Sequence, residues 1–261
     1  MDILGIDIET LPHAGFFWGL HKQNISHQGI IKESSVVCAS WMLVDRGRKP
    51  RAVSILDDEP RYKKSVYDDE HVIRVMAKRM DDADILLAQN GDSFDIKILR
   101  WKMCVYGLPP LRPIQTIDTL KESRKVFRPA SHRLDFKSHV HGLGGKEDVG
   151  GFKTWVNIAM RDFGGDDDAA RKAIKKMVKY NKKDVLDLEG TYLKERAHYK
   201  GHPNRLLYDS LAIGCPTCGS KDFVGKGYRY NVSGVYRGYL CRSCGKRFQD
   251  SHRSYHVTLK N

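Results

Sequence analysis

Acidic side chains stand at three widely separated points of this sequence of 261 residues. Asp7 and Glu9 lie two residues apart in an apolar stretch, so in a β-strand both carboxylates project from the same face of the sheet. The apolar neighbours indicate a buried central strand, where an ionised acid is costly unless it is paired or binds a metal ion. Asp95 follows an apolar strand and a polar turn, and Asp184 lies in a segment predicted to be helical. The four acids are therefore candidates for one metal-binding site.

Carboxylates of this kind suit the hydrolysis of a phosphodiester. The reaction needs a nucleophilic hydroxide and neutralisation of charge on the phosphate, and two divalent cations ~3.5–4 Å apart provide both. Mg²⁺ and Mn²⁺ prefer hard oxygen ligands, so several carboxylates must come together from distant positions. Tyr180 precedes Asp184 by four residues, which places the phenol and the carboxylate on one face of a helix. Taken singly, each acid also has an ordinary explanation, as part of a surface strand, a helix cap or a charged helix.

Four of the six cysteines form two Cys-x2-Cys knuckles separated by 22 residues, and a glycine follows each knuckle. They are Cys215, Cys218, Cys241 and Cys244. Two such knuckles make a tetrahedral thiolate site for one structural Zn²⁺. Disulfides are not expected, because the chain is predicted to be cytosolic. Cys38 and Cys104 lie in apolar segments, and we predict that they are core residues.

The span between the knuckles contains two strand-like stretches, residues 223–230 and 235–240, and resembles a zinc ribbon. A domain of about 50 residues cannot fold on its own core, so zinc should supply its stability. Basic and aromatic residues alternate along it: Lys226, Tyr228, Arg229, Tyr230, Tyr236, Arg237 and Tyr239. This alternation favours contact with a nucleic acid. The alternative is that the ribbon docks a protein partner or the remainder of the chain.

The elements that must position these residues follow an α/β pattern. Apolar and β-branched runs predict strands at residues 2–8, 35–44, 51–56, 85–89 and 114–117. Helices are predicted at residues 68–81, from about Ser93, and at 134–141, 152–160 and 166–198. The chain begins with strands and continues with alternating helices and strands. This order indicates a mixed sheet with helices on its faces, in which the first strands are antiparallel. A polar stretch at residues 198–206 places the domain boundary there, giving domains 1–205 and 206–261.

Residues 11–33 form a long connection after the first strand and contain Phe16, Phe17 and Trp18. We predict either a packed loop or a lid that faces the substrate. The three aromatic side chains are expected to pack into the core, and stacking on nucleic-acid bases is the alternative.

Composition favours a polyanionic partner, because the formal charge is +13. Residues 201–261 carry ten basic against three acidic residues, so this short segment holds +7 of the total. Nucleic acid is the natural candidate. The longest apolar runs are far below the ~20 residues that a membrane span needs, and the first residues lack the features of a signal peptide. We therefore expect a protein of the cytoplasm that does not act at a membrane.

The order and spacing of the acidic segments resemble the exonuclease motifs of the DnaQ-like, or DEDD, superfamily. Residues 7–10 resemble its first motif, residues 90–95 its second, and residues 180–184 its third, whose tyrosine indicates the DEDDy branch. Residues 118–120 and 133–135 are similar to segments of stand-alone exonucleases from phages and prokaryotes. If the resemblance extends to a phage origin, the expected location is the cytoplasm of the host. The resemblance covers roughly residues 1–200.

The resemblance implies an RNase H-like fold and a 3′→5′ exonuclease that releases nucleoside monophosphates, with DNA favoured over RNA. By the same resemblance Asp7, Glu9 and Asp184 hold the first Mg²⁺ or Mn²⁺. Asp7, with Asp95 through water, holds the second. Tyr180 orients the attacking water.

Further roles carried over from the resemblance concern the substrate, expected to be a single-stranded 3′ end. Thr10 and Leu11 would contact the terminal nucleotide, and Asn90 would help to position the strand. Asp118 is interpreted as a helix cap and Asp135 as structural, because the set of four acids is already complete.

Two alternatives stay open on the sequence. One is a non-catalytic adaptor that binds nucleic acid, which the complete set of acids and the tyrosine disfavours. The other is a proofreading subunit that acts with a separate polymerase, since the chain has no room for a polymerase domain of its own.

Overall fold

The computed structural model describes residues 1–19, 21, 24–47, 49–144, 150–208, 213–232 and 234–252. The elements up to the second helix are β1 (Ile3–Thr10), β2 (Ala14–Gly15), β3 (Ile30–Lys32), β4 (Val36–Leu43), β5 (Arg51–Ser54), α1 (Glu59–Lys64) and α2 (Glu70–Asp81). Those that follow are β6 (Ile85–Ala88), α3 (Asp95–Val105), β7 (Gln115–Asp118), α4 (Thr119–Val126), α5 (Leu134–Val140), α6 (Lys153–Met160) and α7 (Asp167–Glu195). The last three are β8 (Phe223–Asn231), β9 (Gly234–Cys241) and β10 (Arg247–Gln249).

A five-stranded mixed sheet in the order β5-β4-β1-β6-β7 forms the centre of the larger part. β5, β4 and β1 are antiparallel to one another, whereas β1, β6 and β7 run parallel. The predicted antiparallel pairing of the first strands and the predicted mixed α/β sheet are confirmed. β1 occupies the middle of the sheet, and its residues are buried at the start and partly open towards the end. The carboxylates of β1 therefore lie where the strand passes from the buried interior to a partly exposed position.

The long helix α7 covers the face of the sheet that carries these carboxylates. It has 29 residues, a length of about 43 Å, and begins where the Asp166 side chain accepts a hydrogen bond from Asp168 N at 2.9 Å. A Cβ added to Gly5 would lie 3.8 Å from Val185 Cγ1 of α7. Because side chains alternate along a strand, Asp7 and Glu9 project from the same face as Gly5 and so towards α7.

Two core clusters lie against the sheet. The larger one includes Ile6 and Ile8 of β1 together with buried residues of α2 and α3, such as Ile73 and Leu99. The smaller one joins Ile3 to residues of α7 and to the chain just beyond it. None of the helices in the described ranges is both long and apolar enough to cross a membrane.

Several elements depart from the sequence-based prediction. The helix α1, the two-stranded hairpin β2–β3 and the short strand β10 were not predicted, and α4 was predicted only through the interpretation of Asp118 as a helix cap. α1 is only six residues long and its apolar content is low, although Pro60 in its first turn is a usual start signal. α7 ends at Glu195 rather than at residue 198.

The prediction of core packing for the aromatic residues after the first strand is wrong. Phe16, Phe17 and Trp18 are 79%, 56% and 102% exposed. They follow β2 in a hairpin that is separate from the five-stranded sheet and too small to enclose them.

The core prediction for Cys104 is also wrong, because this residue is exposed, whereas Cys38 is buried as expected. On α3 the inward positions are taken by Leu99 and Met103, so Cys104, one residue further on, turns outwards.

A second, three-stranded sheet in the order β10-β9-β8 forms the C-terminal part. Phe223, Tyr239 and Phe248 make its small core, with ring centroids 5.4–5.5 Å apart. Lys246 Nζ donates to Tyr199 O at 2.8 Å, and Arg205 N donates to Pro216 O at 2.8 Å. The sheet is therefore held against the chain that follows α7, in line with one alternative for the ribbon. Residues 209–212 beside the predicted boundary, and 253–261 of the predicted ribbon domain, lie outside the described residues.

Candidate active site

Three of the predicted acids form a cluster that can bind a metal ion. One carboxylate oxygen from each of Asp7, Glu9 and Asp184 lies within 4.8 Å of the others. β1 supplies the first two and the middle of α7 supplies the third. The cluster forms because α7 packs on β1, where a Cβ added to Gly5 would lie at an ordinary van der Waals distance from Val185, and this packing brings distant parts of the sequence together.

Asp95, the first residue of α3, is buried beside the same strand. Its Oδ1 accepts a hydrogen bond from Ile8 N at 3.1 Å. β6 pairs with β1 only as far as Gly5, so the amide of Ile8 has no strand partner on that side. A buried amide needs an acceptor, and Asp95 provides one. The fourth predicted acid is therefore held next to Asp7 and Glu9 by the backbone of β1.

The electrostatics of the cluster favour bound cations. Burial raises the pKa of Asp7 well above its usual value, and the neighbouring carboxylates of Asp95, Asp184 and Glu9 raise it further. Burial also raises the pKa of Asp95 to about 7, and the Asp118 carboxylate adds to this against opposing backbone hydrogen bonds. Four carboxyl groups this close cannot all ionise without compensating positive charge. Divalent cations provide that charge, so the residues present fit such ions.

Asn181 is a site residue that the sequence analysis did not single out. Its side chain is fully buried, and Nδ2 donates to Asp7 Oδ2 at 2.5 Å. Within the described part of the chain, its Oδ1 has no hydrogen-bond partner. The residue lies in the segment 180–184, but nothing in the sequence distinguishes an amide that orients a carboxylate from one on a helix surface.

Tyr180 lies one helical turn before Asp184, on the same face of α7, as predicted. Burial raises the pKa of the Tyr180 phenol, and the neighbouring Asp184 carboxylate, to which it is hydrogen-bonded, raises it further. The phenol therefore stays protonated near neutral pH and can donate a hydrogen bond at the edge of the carboxylate cluster.

A cleft of about 590 Å³ opens beside Tyr180 and Asp184. Among its lining residues are Arg124, His132 and Arg133, from α4 and the connection to α5. The connection is held by Gln89 Nε2, which donates to His132 O at 2.8 Å. Two guanidinium groups next to an acidic cluster suit a phosphate group. Sequence analysis missed Arg124 and His132, and included Arg133 only as part of a matching segment.

Asp118 and Asp135 have local structural partners, as predicted. Asp118 caps α4, accepting from Leu120 N at 3.0 Å and from Lys121 N at 3.2 Å. It also accepts from Asn90 N at 3.0 Å, which ties α4 to the turn before α3. Asp135 Oδ1 accepts from Phe136 N at 2.7 Å, although Asp135 also lines the cleft.

The three predicted substrate-binding residues differ in their positions. Asn90 has a φ of 63°, a left-handed conformation that asparagine tolerates well, and forms the turn between β6 and α3. Thr10 is partly exposed at the end of β1. The side chain of Leu11 is fully buried, so the structure does not bring it to the surface of the site. Contact of these residues with a nucleotide stays a prediction.

The four cysteines of the knuckles also come together. Cys215 Sγ lies 3.7 Å from Cys244 Sγ, and Cys218 Sγ lies 3.6 Å from Cys241 Sγ. All four sulfurs lie within 4.8 Å of one another. A tetrahedral Zn²⁺ with bonds of ~2.3 Å separates its sulfurs by about 3.8 Å, whereas a disulfide needs about 2.05 Å.

The backbone around the thiols has the turns that a zinc knuckle requires. Gly219 N donates to Cys215 O at 2.8 Å, and Gly245 N donates to Cys241 O at 3.0 Å. Both glycines have positive φ, 76° and 78°, which other residues adopt at a cost. The spacing of the thiols and these turns fit one Zn²⁺.

The exposed aromatic surface of the C-terminal sheet is smaller than the sequence indicated. Tyr228 and Tyr230 of β8 are 47% and 79% exposed. Tyr236 is buried, and Tyr239 belongs to the small aromatic core. Two of the four tyrosines are therefore available to a ligand.

Comparisons with known proteins show similarity that is limited in extent or in closeness. No protein-family model matches the chain. A stretch of 66 residues, 25% of this chain, is 39% identical to the "DNA polymerase III PolC-type" of Ureaplasma parvum serovar 3 and spans only 4% of that protein. A solved structure, the family B DNA polymerase of the archaeon Pyrobaculum calidifontis, is 16% identical with a TM-score of 0.46, over 76% of this chain and 26% of the polymerase. The chain is thus similar to small parts of two much longer DNA polymerases.

Proposed function

We propose that the protein is a two-metal-ion 3′→5′ exonuclease. The observation that carries the proposal is the cluster of Asp7, Glu9 and Asp184, with buried Asp95 of α3 held beside it by a hydrogen bond from β1. We further propose that residues 1–205 form an RNase H-like exonuclease domain and residues 206–261 a zinc ribbon. The five-stranded mixed sheet with its helices is compatible with that fold. The resemblance of the three acidic segments supports the 3′→5′ polarity.

Each residue of the centre has a proposed role. Asp7, Glu9 and Asp184 would hold one Mg²⁺ or Mn²⁺, and Asp7 with Asp95 through water would hold the other. When bound, the cations make a hydroxide nucleophile accessible at neutral pH and offset negative charge on the phosphate. Asn181 fixes the orientation of the Asp7 carboxylate through its hydrogen bond. Tyr180 would orient the attacking water: its O–H is donated to the Asp184 carboxylate, which leaves the phenol oxygen to accept a hydrogen bond from that water.

The substrate is proposed to be single-stranded DNA at a 3′ end. Arg124 and Arg133 in the cleft would bind its phosphates next to Asp184, and Thr10 and Asn90 would contact the terminal nucleotides. The local likeness to a DNA polymerase III supports DNA over RNA. The zinc ribbon would assist binding through the exposed rings of its β8 strand.

The direct test is hydrolysis of DNA and RNA single strands labelled at either end, with Mg²⁺ or Mn²⁺. A 5′-labelled strand should shorten stepwise, and Asp7→Asn combined with Glu9→Gln should abolish the shortening. Asp168→Asn, which neutralises an exposed acid at the start of α7, is the matched control and should keep activity. If no strand shortens with either metal while binding persists, a non-catalytic adaptor replaces this proposal.

A further inference from the structure

The hairpin β2–β3 presents an aromatic surface that the carboxylate site does not use. Phe16, Phe17 and Trp18 project from it and line a groove of about 640 Å³ together with Ile25 and Gln28. The hairpin has a defined shape, because Phe16 N donates to Gly29 O at 2.8 Å. A Cβ added to Gly15 would lie 2.5 Å from Gly29 O, so the two strands meet at a contact that only glycine permits.

A cationic pocket of about 510 Å³ begins at the second strand of the same hairpin. It is lined by five cations, Lys32, Lys63, Lys64, Arg161 and Arg171, and by two acids, Asp162 and Asp167. Five cations against two acids leave a formal charge of +3. Lys32 ends β3, three residues after Gly29 of the groove, so the same hairpin contributes to the groove and to the pocket.

The arginines of this cationic pocket are held in fixed positions. The guanidinium groups of Arg161 and Arg171 lie 4.8 Å and 4.4 Å from the centre of the Tyr62 ring. Arg171 also bonds Glu59 at 3.0 and 2.6 Å. The Lys63 side chain is mostly exposed. The pocket thus combines a rigid wall with a lysine at its rim.

Connectivity relates these two surfaces to the carboxylate cluster. Phe16 follows Glu9 by seven residues and comes directly after β2, the first element beyond the strand that carries the acids. Arg171 precedes Asp184 on α7 by 13 residues, which corresponds to about 20 Å along the helix. A substrate would have to extend several nucleotides from the site to reach the pocket.

We propose that the β2–β3 hairpin and the cationic pocket form a second binding site for single-stranded DNA, upstream of its 3′ end. Unpaired bases stack on the three aromatic rings, and phosphates contact Lys32, Lys63 and Lys64. This inference rests on the proposed exonuclease function. Exposed rings next to clustered cations match a single strand, which offers unstacked bases and a regular array of phosphates. An apolar protein partner would leave unmatched the positive charge of the pocket, which Glu59 beside Arg171 and Lys63 offsets only in part.

Binding as a function of strand length tests this site. Fluorescence anisotropy with oligothymidylates of about 4 and about 16 nucleotides is measured in the inactive Asp7→Asn background, with zinc bound and no added Mg²⁺. The zinc ribbon can contribute to long-strand binding in every variant, so the second site is measured by what the hairpin variant loses. Phe17→Ala combined with Trp18→Ala should weaken binding of the long strand by at least about tenfold and leave binding of the short strand unchanged. The matched control is Phe152→Ala, an exposed ring just before α6 and outside both surfaces.

Tryptophan fluorescence provides a second readout. Trp18 is fully exposed, so stacking should quench its emission when the long strand binds. Trp18→Phe should lose the quenching and keep the length-dependent affinity, because the phenyl ring still stacks. Lys63→Ala combined with Lys64→Ala should reduce the salt dependence of long-strand binding.

The outcomes separate this inference from the proposed function. Hydrolysis of the p-nitrophenyl ester of thymidine 5′-monophosphate by the wild type, lost in Asp7→Asn, reports on the carboxylate centre alone. If that hydrolysis occurs but the hairpin variant binds long strands as tightly as the wild type, the second site is refuted and the aromatic surface serves a protein partner. If no hydrolysis occurs, the exonuclease proposal fails whatever the hairpin binds.

Discussion

Asp7 is the acid on which the other residues of the centre converge. It lies near three other carboxyl groups and accepts a hydrogen bond from Asn181, which is buried within α7. An amide in this position both orients the carboxylate and supports its ionised form. The hydrogen bond joins residues 174 positions apart, so a single side chain couples the first strand to the last helix of the larger part.

Removing that hydrogen bond should weaken metal binding more than folding. Partners that orient metal ligands typically contribute about 10- to 100-fold in metal affinity or activity. Asn181→Ala should therefore raise the Mg²⁺ concentration for half-maximal hydrolysis by about tenfold or more. A Mg²⁺ titration of activity measures this, with Asn157→Ala on α6 as the control. An unchanged Mg²⁺ requirement would show that Asn181 only fills space.

The raised pKa values of Asp7 and Asp95 predict how stability depends on pH. A carboxyl group whose pKa is higher in the folded state stabilises the fold at low pH, and this contribution is lost as the pH rises through the folded value, which is about 7 for Asp95. The zinc-loaded protein without Mg²⁺ should lose several degrees of Tm between about pH 5 and pH 8. Mg²⁺ should restore the Tm at the higher pH.

Asp95→Asn is the informative variant for this pH effect. It removes one titrating group but keeps an oxygen that can accept from Ile8 N. Thermal melts across the pH range should show a flatter profile without Mg²⁺ and a weaker rescue by Mg²⁺. A wild-type Tm that rises with pH in the absence of Mg²⁺ would contradict the assignment of these pKa shifts.

Sequence alone identified the acids and cysteines that the structure brings together, because acid type, strand spacing and the two knuckles are local signals. Asn181, Arg124 and His132 were not identified. Their positions depend on the rotation of α7 and on the path of the chain between α4 and α5, which are set by tertiary packing. The exposure of Phe16, Phe17 and Trp18 was also not foreseen, since an apolar run does not reveal whether its hairpin joins the main sheet.

At the scale of elements, the turn between β6 and α3 positions Asp95. Gly91 lies in this turn, and a Cβ added to it would lie 2.4 Å from Ala88 Cβ at the end of β6. Ile96 N donates to Gly91 O at 2.9 Å, so a shift of the turn moves the first turn of α3. The glycine is thus required by close approach to the strand.

Gly91→Ala should displace Asp95 and reduce hydrolysis by at least about tenfold, with a lower Tm. The control is Gly5→Ala, where the added Cβ would meet Val44 Cγ2 at 3.5 Å, an ordinary van der Waals contact. Initial rates and thermal melts of both variants measure the difference. Equal loss in the two variants would mean that the turn has no special role.

The larger elements were predictable and the short ones were not. Apolar runs predicted β1 and β4, which are buried over most of their length, and α7 is long enough to bury one face over many residues. α4 is only eight residues long, and its start is set by Asp118, which also bonds the β6–α3 turn. Such a helix depends on a contact between distant segments, and the spacing of apolar residues in the sequence does not reveal that contact.

For the whole molecule, zinc should stabilise the C-terminal sheet separately from the five-stranded one. The purified protein should contain one Zn²⁺ per chain by elemental analysis. Cys218→Ser should release it and make residues 213–252 sensitive to protease, while residues 1–200 stay resistant. Cys104→Ser, which alters an exposed cysteine outside the cluster, should retain zinc. A zinc-free wild type with an intact C-terminal sheet would contradict the metal assignment.

The distance in sequence between β1 and α7 also has a consequence for synthesis. β1 leaves the ribosome before α7, so its carboxylates gain Asp184 and Asn181 only after some 174 further residues have been made. At about 5–20 residues per second, that interval is on the order of ten to forty seconds. During it the nascent chain exposes the apolar face that α7 will cover and cannot assemble the acidic cluster. Under the proposed function, the growing chain therefore cannot hydrolyse nearby nucleic acid until α7 has docked.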